Sequence, residues 1–311
     1  SFGANNTIIG DISDLPLKNI ESFSLMADDA EQEKFDASKL AASKNLKYSQ
    51  GSNLDIKGLQ SWEGLTKLET ISIDSSTCSE FPDFSTLPSI KDVVLDLSCA
   101  QNLSFLSTKN NLQTLTLSNI QSNLDYSAMV GCEALHSLSI KASSDALFSQ
   151  LPSLDHLKTL SIHASDVSFE NPLPKLETVN LEGTQSFKGA EYLSSLQNLN
   201  VRSFVEMESF FGLCNLNHFE LRLQQPMPID LSACASWSKC TRISVYNIEE
   251  IQGLAALCAL PKLTEVTLRS QIIQDIELLA HIPELKIVRG VGSRRQRYLR
   301  KFLTDVQIYE W

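Results

Sequence analysis

A pair of apolar residues separated by a single position recurs at a nearly constant interval along almost the whole chain. The interval between the first members of successive pairs varies only from 19 to 25 residues. The pairs are Phe23/Leu25, Leu46/Tyr48, Ile71/Ile73, Val93/Leu95, Leu115/Leu117, Leu138/Ile140, Leu160/Ile162, Val179/Leu181, Leu199/Val201, Phe219/Leu221, Ile243/Val245, Val266/Leu268 and the degenerate Val288/Gly290. A fixed period of this length predicts a repeat architecture.

Further apolar residues lie three and six positions before most pairs, as Leu65 and Leu68 do before Ile71. A spacing of three suits a turn, whereas the spacing of two within each pair suits a strand with one buried face. Each repeat is therefore predicted to be a turn that leads into a short strand. Stacked repeats would bury their apolar residues against one another.

The resulting pattern, LxxLxxLxL, resembles the leucine-rich-repeat family over residues 15–291, and its regular period resembles the short repeats of internalins and of a phosphatase regulator. The resemblance implies an α/β repeat solenoid, a horseshoe or arc with a parallel concave β-sheet and with turns and short helices on its convex side. The family usually carries Asn three residues after the second strand residue, and Ile120, Phe204 and Ile248 stand at that position here. We expect looser coils near these three residues.

The repeat runs without a break in composition, which favours a single elongated domain. We predict an N-terminal segment or partial cap at 1–14, about 13 coils at 15–291 and a C-terminal capping helix with a tail at 292–311. Ser293 is expected to cap a helix over about 294–303 whose Leu299, Phe302 and Leu303 face the last coil. The tail that follows is expected to pack onto this cap.

The seven cysteines are odd in number and form no CxxC motif. This favours free thiols in a reducing cytoplasm, although secretion or translocation by a signal outside this sequence stays open. No clustered His and Cys residues have metal-ligand spacing, so neither a metal nor a cofactor is predicted. No apolar run is long enough to span a membrane.

The formal net charge of −11 is unevenly distributed along the chain. Residues 1–190 contain 13 Lys and Arg against 24 Asp and Glu, whereas residues 191–311 contain 13 of each class. Nucleic-acid binding is disfavoured, because contacts to phosphates require a basic surface.

Alternation along each strand predicts which residues project from the concave face, namely those before, between and after each apolar pair. The position after the pair changes from acidic to basic along the chain. We predict a partner-binding surface made of Arg202, His218, Arg222, Arg242, Tyr246 and Arg269, with an acidic counterpart made of Asp74, Asp92 and Asp96.

Neighbouring strands lie about 4.8 Å apart, so like charges stacked on this face repel one another unless an anion lies beside them. Three interpretations follow: a solvated face with internal pairing to Glu220 and Glu265, an acidic partner surface, or a small phosphorylated ligand. Tyr246 among the arginines favours a protein partner, because Tyr and Arg are enriched at binding hot spots.

Nucleophilic catalysis needs a Ser or Cys held beside a His and an orienting group. The five histidines are scattered over different repeats, and we predict that the protein is not an enzyme. The expected function is a protein-protein interaction module of a bacterial host-directed or effector type, with a partner that is acidic where it meets the C-terminal half. The alternatives are an intracellular regulator, inhibitor or toxin-neutralising protein, and a receptor for a small phosphorylated anion.

Overall fold

The computed structural model describes most of the chain and divides it into two compact units. The described residues are 2–5, 17–27, 33–78, 80–96, 102–106, 110–120, 124–142, 147–148, 151–203, 207–210 and 212–310. The first unit comprises Ser1–Ala146 with Gln150–Leu157, and the second comprises Leu147–Ser149 with Lys158–Trp311.

The first unit is built on a parallel sheet. Its strands are β1 (Phe2–Asn5), β2 (Ser22–Met26), β3 (Glu33–Asp36), β4 (Tyr48–Ser52), β5 (Leu54–Lys57), β6 (Thr70–Asp74), β7 (Thr77–Cys78), β8 (Asp92–Asp96), β9 (Thr114–Ile120) and β10 (Ser137–Ala142). The main sheet has the order β1-β2-β4-β6-β8-β9-β10, and β3-β5-β7 form a small second sheet. Short 3-10 helices connect them at Leu17–Asn19, Ala37–Leu40, Leu59–Trp62, Phe84–Thr86, Ser104–Leu106 and Ser127–Gly131.

The second unit repeats this arrangement. Its strands are β11 (Leu147–Phe148), β12 (Thr159–His163), β13 (Asp166–Ser168), β14 (Thr178–Glu182), β15 (Ser186–Lys188), β16 (Asn198–Arg202), β17 (His218–Arg222), β18 (Ile229–Asp230), β19 (Arg242–Gln252), β20 (Glu265–Ile273), β21 (Ile287–Arg289) and β22 (Gln307–Tyr309). The main sheet has the order β12-β14-β16-β17-β19-β20-β21-β22, β11-β13-β15 form a small sheet, and β18 pairs with β19. The 3-10 helices are Ala190–Tyr192, Met207–Phe210, Leu231–Ser236, Leu254–Ala259 and Ile276–His281, and α1 (Ser293–Leu299) precedes β22.

The apolar pairs occupy matching positions of consecutive strands. Leu199, for example, pairs with Val179 on one side and with Phe219 on the other, and all three side chains are fully buried. The predicted repeat solenoid with a parallel sheet is thus confirmed. Each coil covers the apolar residues of the next, which is how a solenoid builds its core.

The second repeat departs from the predicted register. Ser49 and Gly51 fill its two core positions, since they pair with the core residues of both β2 and β6. The predicted pair Leu46/Tyr48 is therefore wrong: Leu46 is buried in the turn before the strand, and Tyr48 lies half-buried on the other face. A Cβ atom on Gly51 would lie 3.1 Å from two side chains of β5, which fill the space that a larger residue would need.

The C-terminal end also differs in part from expectation. The N-cap of helix α1 is Gly292, which has no side chain to accept a capping hydrogen bond. Ser293 is the first residue of the helix and not, as the sequence had predicted, its cap. Leu299 and Leu303 are buried as predicted, but Phe302 is 49% exposed. The following segment does more than pack onto the cap, because β22 adds a parallel strand that extends the sheet beyond β21.

A left-handed backbone residue recurs two positions after the second core residue of a strand. This conformation favours Gly and Asn, and it occurs at Asn53, Ser75, Asn119, Gly183 and Asn247. Asn247 Nδ2 donates hydrogen bonds to the carbonyl oxygens of Leu223 and Gln224 in the preceding coil, at 2.9 and 3.1 Å.

Asn119 Nδ2 likewise donates to Asp96 Oδ2 in the preceding coil at 2.6 Å. The amides of Asn119 and Asn247 therefore bond neighbouring coils one position earlier than the family pattern suggests. Ile120 and Ile248, at the position predicted to be loose, are each 1% exposed and lie within strands. Both side chains therefore belong to the core. Looser coils near them stay a prediction, and Phe204 lies outside the described residues.

The core of the second unit contains a run of aromatic rings beneath β17. Phe187, Phe210, Phe219 and Trp237 contact one another in succession with tilted rings, whose centroids lie 5.4, 5.7 and 4.9 Å apart. Trp237 Nε1 donates to the carbonyl oxygen of Phe210 at 3.4 Å, which satisfies its polar atom inside the core. This packing fixes the strands that carry most of the basic residues.

Gly189 provides a test of how tightly the coils stack. Its φ of 87° is left-handed, and an added Cβ atom would lie 2.2 Å from the carbonyl oxygen of Phe169. Gly189→Ala should therefore lower the free energy of unfolding by about 3 kcal/mol or more, measured by chemical denaturation. The matched control is Gly212→Ala, since Gly212 has a φ of 99° and, apart from its chain neighbours, no atom of a described residue lies within 4 Å of an added Cβ atom. This control should lose only about 1–2 kcal/mol. Equal losses would contradict the tight contact between these coils.

Candidate partner-binding surface

The polar side chains of the second unit form three rows across the outer face of its main sheet. The N-terminal row contains His218, Arg242 and Glu265, the middle row contains Asn180, Asn200, Glu220, Arg289 and Tyr309, and the C-terminal row contains Glu182, Arg202, Arg222, Tyr246 and Arg269. The structure thus brings together on one face the six C-terminal residues that the sequence predicts for partner binding. The rows differ in how they accommodate their positive charges.

In the C-terminal row, two guanidinium groups stack on one aromatic ring. Arg222 Cζ lies 4.7 Å and Arg269 Cζ lies 5.5 Å from the ring centroid of Tyr246. Both arginines are exposed, and Tyr246 is half-buried between them. Cation–π attraction helps to hold the two charges in place.

A β-bulge determines where Tyr246 stands. The pairing of β19 with β20 shifts between Val245 and Ile248, so that Tyr246 and Asn247 together oppose one residue of β20. The left-handed Asn247, with a φ of 59°, accommodates the extra residue. Bulges of this kind redirect a side chain at the edge of a regular ladder.

An open pocket of about 490 Å³ lies at this bulge. It is lined by Arg222, Leu223, Tyr246, Asn247, Ile248, Arg269, Ser270 and Gln271. Within the described part of the chain, this lining contains two arginines and no acidic side chain.

Arg295 of α1 supports one wall of the pocket. Its Nη1 atom donates to the carbonyl oxygen of Ser270 at 2.8 Å, and its Nη2 atom donates to that of Gln271. Partial burial lowers the pKa of Arg295, yet an arginine stays charged at physiological pH. The capping helix therefore brings another cation next to the pocket and ties down the chain after the bulge.

Glu265 of the N-terminal row forms salt bridges with Arg242 of the same row and with Arg289 of the middle row. Glu265 Oε2 lies 3.0 Å from Arg242 Nη2, and Glu265 Oε1 lies 2.8 Å from Arg289 Nε. The Glu265 side chain is only 13% exposed, whereas those of Arg242 and Arg289 are 51% and 44% exposed. Arg289 also stacks on Tyr309, with Cζ 4.7 Å from the ring centroid. One carboxylate thus forms salt bridges with two guanidinium groups.

His218 is less accessible than its predicted role requires. Its Nε2 atom is buried and has no hydrogen-bond partner among the described residues. Burial of the ring, followed by the positive charge of Arg242, lowers the pKa of His218 against the opposing effect of Glu220 and Glu265. We therefore interpret His218 as a structural residue of the N-terminal row and not as a residue that contacts a partner.

The predicted acidic counterpart does not form a cluster in the first unit. Asp74 and Asp92 are exposed, but they lie at opposite ends of the neighbouring strands β6 and β8. Asp96 is 4% exposed, and its Oδ2 atom accepts a hydrogen bond from Asn119 Nδ2 at 2.6 Å. The expectation that Asp96 projects outward is therefore wrong, because it bonds the left-handed turn of the next coil.

Residues of the C-terminal end complete the face in a way that the apolar period alone does not reveal. Tyr309 contributes because β22 pairs with β21, and Arg295 contributes because α1 packs over the end of β20. The alternation Gln307-Ile308-Tyr309 is the sequence signal that would have indicated a further strand. Arg295 had no such signal, because its role depends on where the helix docks.

The described residues include free thiols but no clustered metal ligands. Cys78, Cys132, Cys214, Cys234, Cys240 and Cys258 are free thiols there, and Cys99 lies outside this part of the chain. No group of three His, Cys, Asp or Glu side chains in the described ranges is arranged to hold a metal ion. Over the same ranges, no helix is both long and apolar enough to cross a membrane.

Comparison with known proteins supports the fold. No protein-family model and no curated protein matches the chain. The TLR13–ssRNA13 complex aligns at 17% identity over 93% of this chain and 50% of that one, with a TM-score of 0.60. The Drosophila Toll–Spätzle complex aligns at 16% sequence identity over 88% of this chain and 39% of the solved chain, with a TM-score of 0.58. The mouse RP105/MD-1 complex aligns at 16% sequence identity over 93% of this chain and 59% of the solved chain, with a TM-score of 0.55.

The chain covers between 39% and 59% of the length of these solved chains. At this identity their likeness shows the fold alone, and together with the repeat register it establishes the leucine-rich-repeat architecture.

Removing the carboxylate of Glu265 tests whether its salt bridges with Arg242 and Arg289 stabilise the protein. Glu265→Gln leaves Arg242 and Arg289 without their shared anion, and we expect it to lower the free energy of unfolding by about 1–2 kcal/mol. The matched control is Glu69→Gln, which removes a single contact of 3.2 Å to Lys91 between two half-exposed side chains and should cost less than about 1 kcal/mol. A loss at Glu265 no larger than at Glu69, measured by chemical denaturation, would show that the bridge has no stabilising role.

The lowered pKa of His218 predicts a pH dependence of stability. The unfolded chain binds a proton at an ordinary His pKa of about 6.5, above the pKa of the folded state, so stability should fall as the pH drops from about 8 to about 5. His218→Gln should make this fall less steep, whereas the exposed-site control His281→Gln should leave its slope unchanged. NMR titration of the His218 ring would check the direction of the pKa shift directly, and a pKa above the ordinary value would contradict it.

Proposed function

We propose that this protein is a non-enzymatic interaction module that binds an acidic surface of a partner protein through the outer face of its second unit. The observation that carries the proposal is the stack of Arg222 and Arg269 on Tyr246, at 4.7 and 5.5 Å, on an exposed part of the sheet. Arg and Tyr are the residue types that most often dominate binding energy at interfaces.

The stacked arrangement favours binding for a physical reason. A long arginine side chain normally loses rotamer entropy when a partner immobilises it, at about 0.5–1.5 kcal/mol for each side chain. Contact with Tyr246 restricts both arginines before a partner arrives. The bulge at Asn247 and the bonds from Arg295 to Ser270 and Gln271 hold the surrounding backbone in the same way.

The C-terminal row is the better candidate within this face. Glu265 of the N-terminal row already pairs with Arg242 and Arg289 at 3.0 and 2.8 Å, so a partner would have to compete with a nearly buried carboxylate for these two arginines. The C-terminal row offers Arg202, Arg222 and Arg269 as exposed cations. Arg202 lies beside Glu182 in register, which makes it the weakest of the three.

The solved structures with this fold support a ligand-binding role but leave the ligand class open. Two are complexes of Toll with Spätzle and of RP105 with MD-1, and one is a complex of TLR13 with single-stranded RNA. For this chain, the formal net charge of −11 argues against RNA, because phosphate contacts require a basic surface. An acidic protein surface can bind the basic C-terminal row even though the net charge of the whole chain is negative.

Two settings are compatible with this proposal. One is a bacterial protein directed at a host, and the other is an intracellular regulator or inhibitor that covers the surface of another protein. The six free thiols of the described residues support the second setting, because free cysteines persist in reducing compartments.

Reversing two charges of the C-terminal row tests the proposal. Arg202→Glu combined with Arg222→Glu should weaken capture of partner proteins from native lysate by about tenfold or more and should reduce the salt dependence of binding. The control pair Arg297→Glu and Arg300→Glu makes the same change of net charge on exposed residues of the capping helix region, and it should leave capture unchanged. Equal capture by both double variants would refute this face as the binding surface, and retention of RNA in place of protein would refute the partner class.

A further inference from the structure

We infer that the C-terminal cap binds the anionic surface of a lipid bilayer. The surface in question, called the cap surface below, consists of six exposed residues: Arg294, Arg297, Tyr298, Arg300, Lys301 and Phe302. None of them belongs to the three rows of the sheet. The inference therefore goes beyond the proposed function and does not depend on it.

One side of α1 and of the turn after it is already used for packing. Leu299 and Leu303 are buried, and Arg295 donates hydrogen bonds to the carbonyl oxygens of Ser270 and Gln271. These contacts fix how the helix sits on the last coils. The cap surface lies on the remaining sides of the helix, where its residues face solvent and are not needed to cover the core.

The charge of the cap favours an anionic partner. Residues 293–303 contain five Lys and Arg residues and no Asp or Glu. The segment that follows adds the exposed Asp305 and Glu310, so residues 293–310 carry five basic and two acidic side chains, a balance of +3. Basic residues close to an anionic membrane each contribute to binding, and the attraction falls off within a Debye length of about 8 Å. The local charge of the cap therefore attracts an anionic surface.

Two aromatic side chains lie among these cations. Tyr298 and Phe302 are 41% and 49% exposed, and their rings meet edge to face with centroids 5.2 Å apart. Exposed aromatic rings beside Lys and Arg are typical of segments that lie in the headgroup region of a bilayer. There the rings leave water, while the long basic side chains reach the lipid phosphates. The cap surface combines both features.

The geometry of the rings favours a bilayer over a nucleic acid. Nucleic-acid bases bind aromatic residues by stacking on the face of a ring. The rings of Tyr298 and Phe302 contact each other at an interplanar angle of 64°, and Lys301 Nζ lies over the Tyr298 ring at 6.0 Å from its centroid. Entry into a headgroup region needs exposed apolar surface and not a free ring face, and the pair retains such surface.

An acidic peptide is also a poorer match than a bilayer. A peptide of this kind pairs with the cations and leaves the two half-exposed rings in water. A bilayer takes up both kinds of side chain, because its phosphates and acidic headgroups lie directly above its apolar region. The cap surface therefore fits an anionic bilayer best.

Binding of the full chain to lipid vesicles tests the inference. In a sedimentation assay at low ionic strength, vesicles of mixed phosphatidylserine and phosphatidylcholine should bind the protein about tenfold or more tightly than vesicles of phosphatidylcholine alone. Added salt should weaken binding to the anionic vesicles. This comparison uses the unaltered protein, so it does not depend on the folding of any variant.

Charge variants locate the binding surface. Arg297→Gln combined with Arg300→Gln should weaken binding to the anionic vesicles by about tenfold or more, because both cations of the pair are lost. The charge-matched control is Lys262→Gln combined with Lys286→Gln, which alters two exposed residues in the turns before β20 and β21. This control should bind the vesicles as the unaltered protein does.

An apolar variant tests the entry of the rings into the headgroup region. Phe302→Ser should weaken binding to the anionic vesicles by about threefold or more. The matched control is Met227→Ser, which removes another exposed apolar side chain in the loop before β18 and should leave binding unchanged. Chemical denaturation of all four variants checks that a loss of binding does not come from unfolding.

Two soluble polyanions test the other classes of partner. Polyglutamate and single-stranded RNA are compared with the anionic vesicles at equal concentrations of negative charge. Weaker binding of both polymers supports the bilayer. Tighter binding of either polymer, with no effect of Phe302→Ser on it, would reject the bilayer in favour of an acidic peptide or a nucleic acid.

The inference is overturned if anionic vesicles bind no more tightly than neutral ones, or if the Arg297 and Arg300 variant binds them as tightly as the lysine control does. Both results leave the proposed function intact, because that function is tested by capture of soluble proteins with the Arg202 and Arg222 variant. Conversely, that variant should retain vesicle binding even where it loses protein capture.

Discussion

Parallel pairing in register is the constraint on which the rest of this structure depends. Each strand residue stands beside the same position of the next coil, about 4.8 Å away. Inside the sheet this repetition is favourable, since Val179, Leu199 and Phe219 cover one another completely. On the outer face it is costly wherever charges of one sign follow one another, because the backbone ladder does not let them move apart. Any basic row on such a sheet therefore needs a means of holding its charges.

The second unit uses two different means on the same face. A nearly buried carboxylate, Glu265, joins Arg242 and Arg289, and an aromatic ring, Tyr246, supports Arg222 and Arg269. The two have opposite consequences for binding. The carboxylate offsets part of the charge of its arginines, whereas the ring orders its arginines and adds no negative charge. We therefore propose the half of the face that carries Tyr246 as the binding surface.

The fold could be predicted from the sequence because Leu, Val and Ile mark nearly every core position. The prediction was wrong where small residues fill the core, as at Ser49 and Gly51, since an apolar pattern contains no information about such positions. Alternation also identified the residues of the basic face. It could not show that Asp96 turns inward to Asn119, or which arginines share an acidic neighbour. Those facts depend on contacts between coils about 20 residues apart, and a single strand pattern does not contain them.

The bulge at Asn247 shows most clearly what lies beyond such a pattern. Up to Val245 the strand follows its period of two, and Tyr246 is expected to project outward as it does. One additional residue in a left-handed conformation then shifts the pairing with β20. Because the ladder resumes at Ile248 and Ser270, the disturbance stays local and leaves a gap beside Tyr246. The residues on both sides of this interruption line the open pocket of about 490 Å³, so the pocket and the bulge lie at the same place on the sheet.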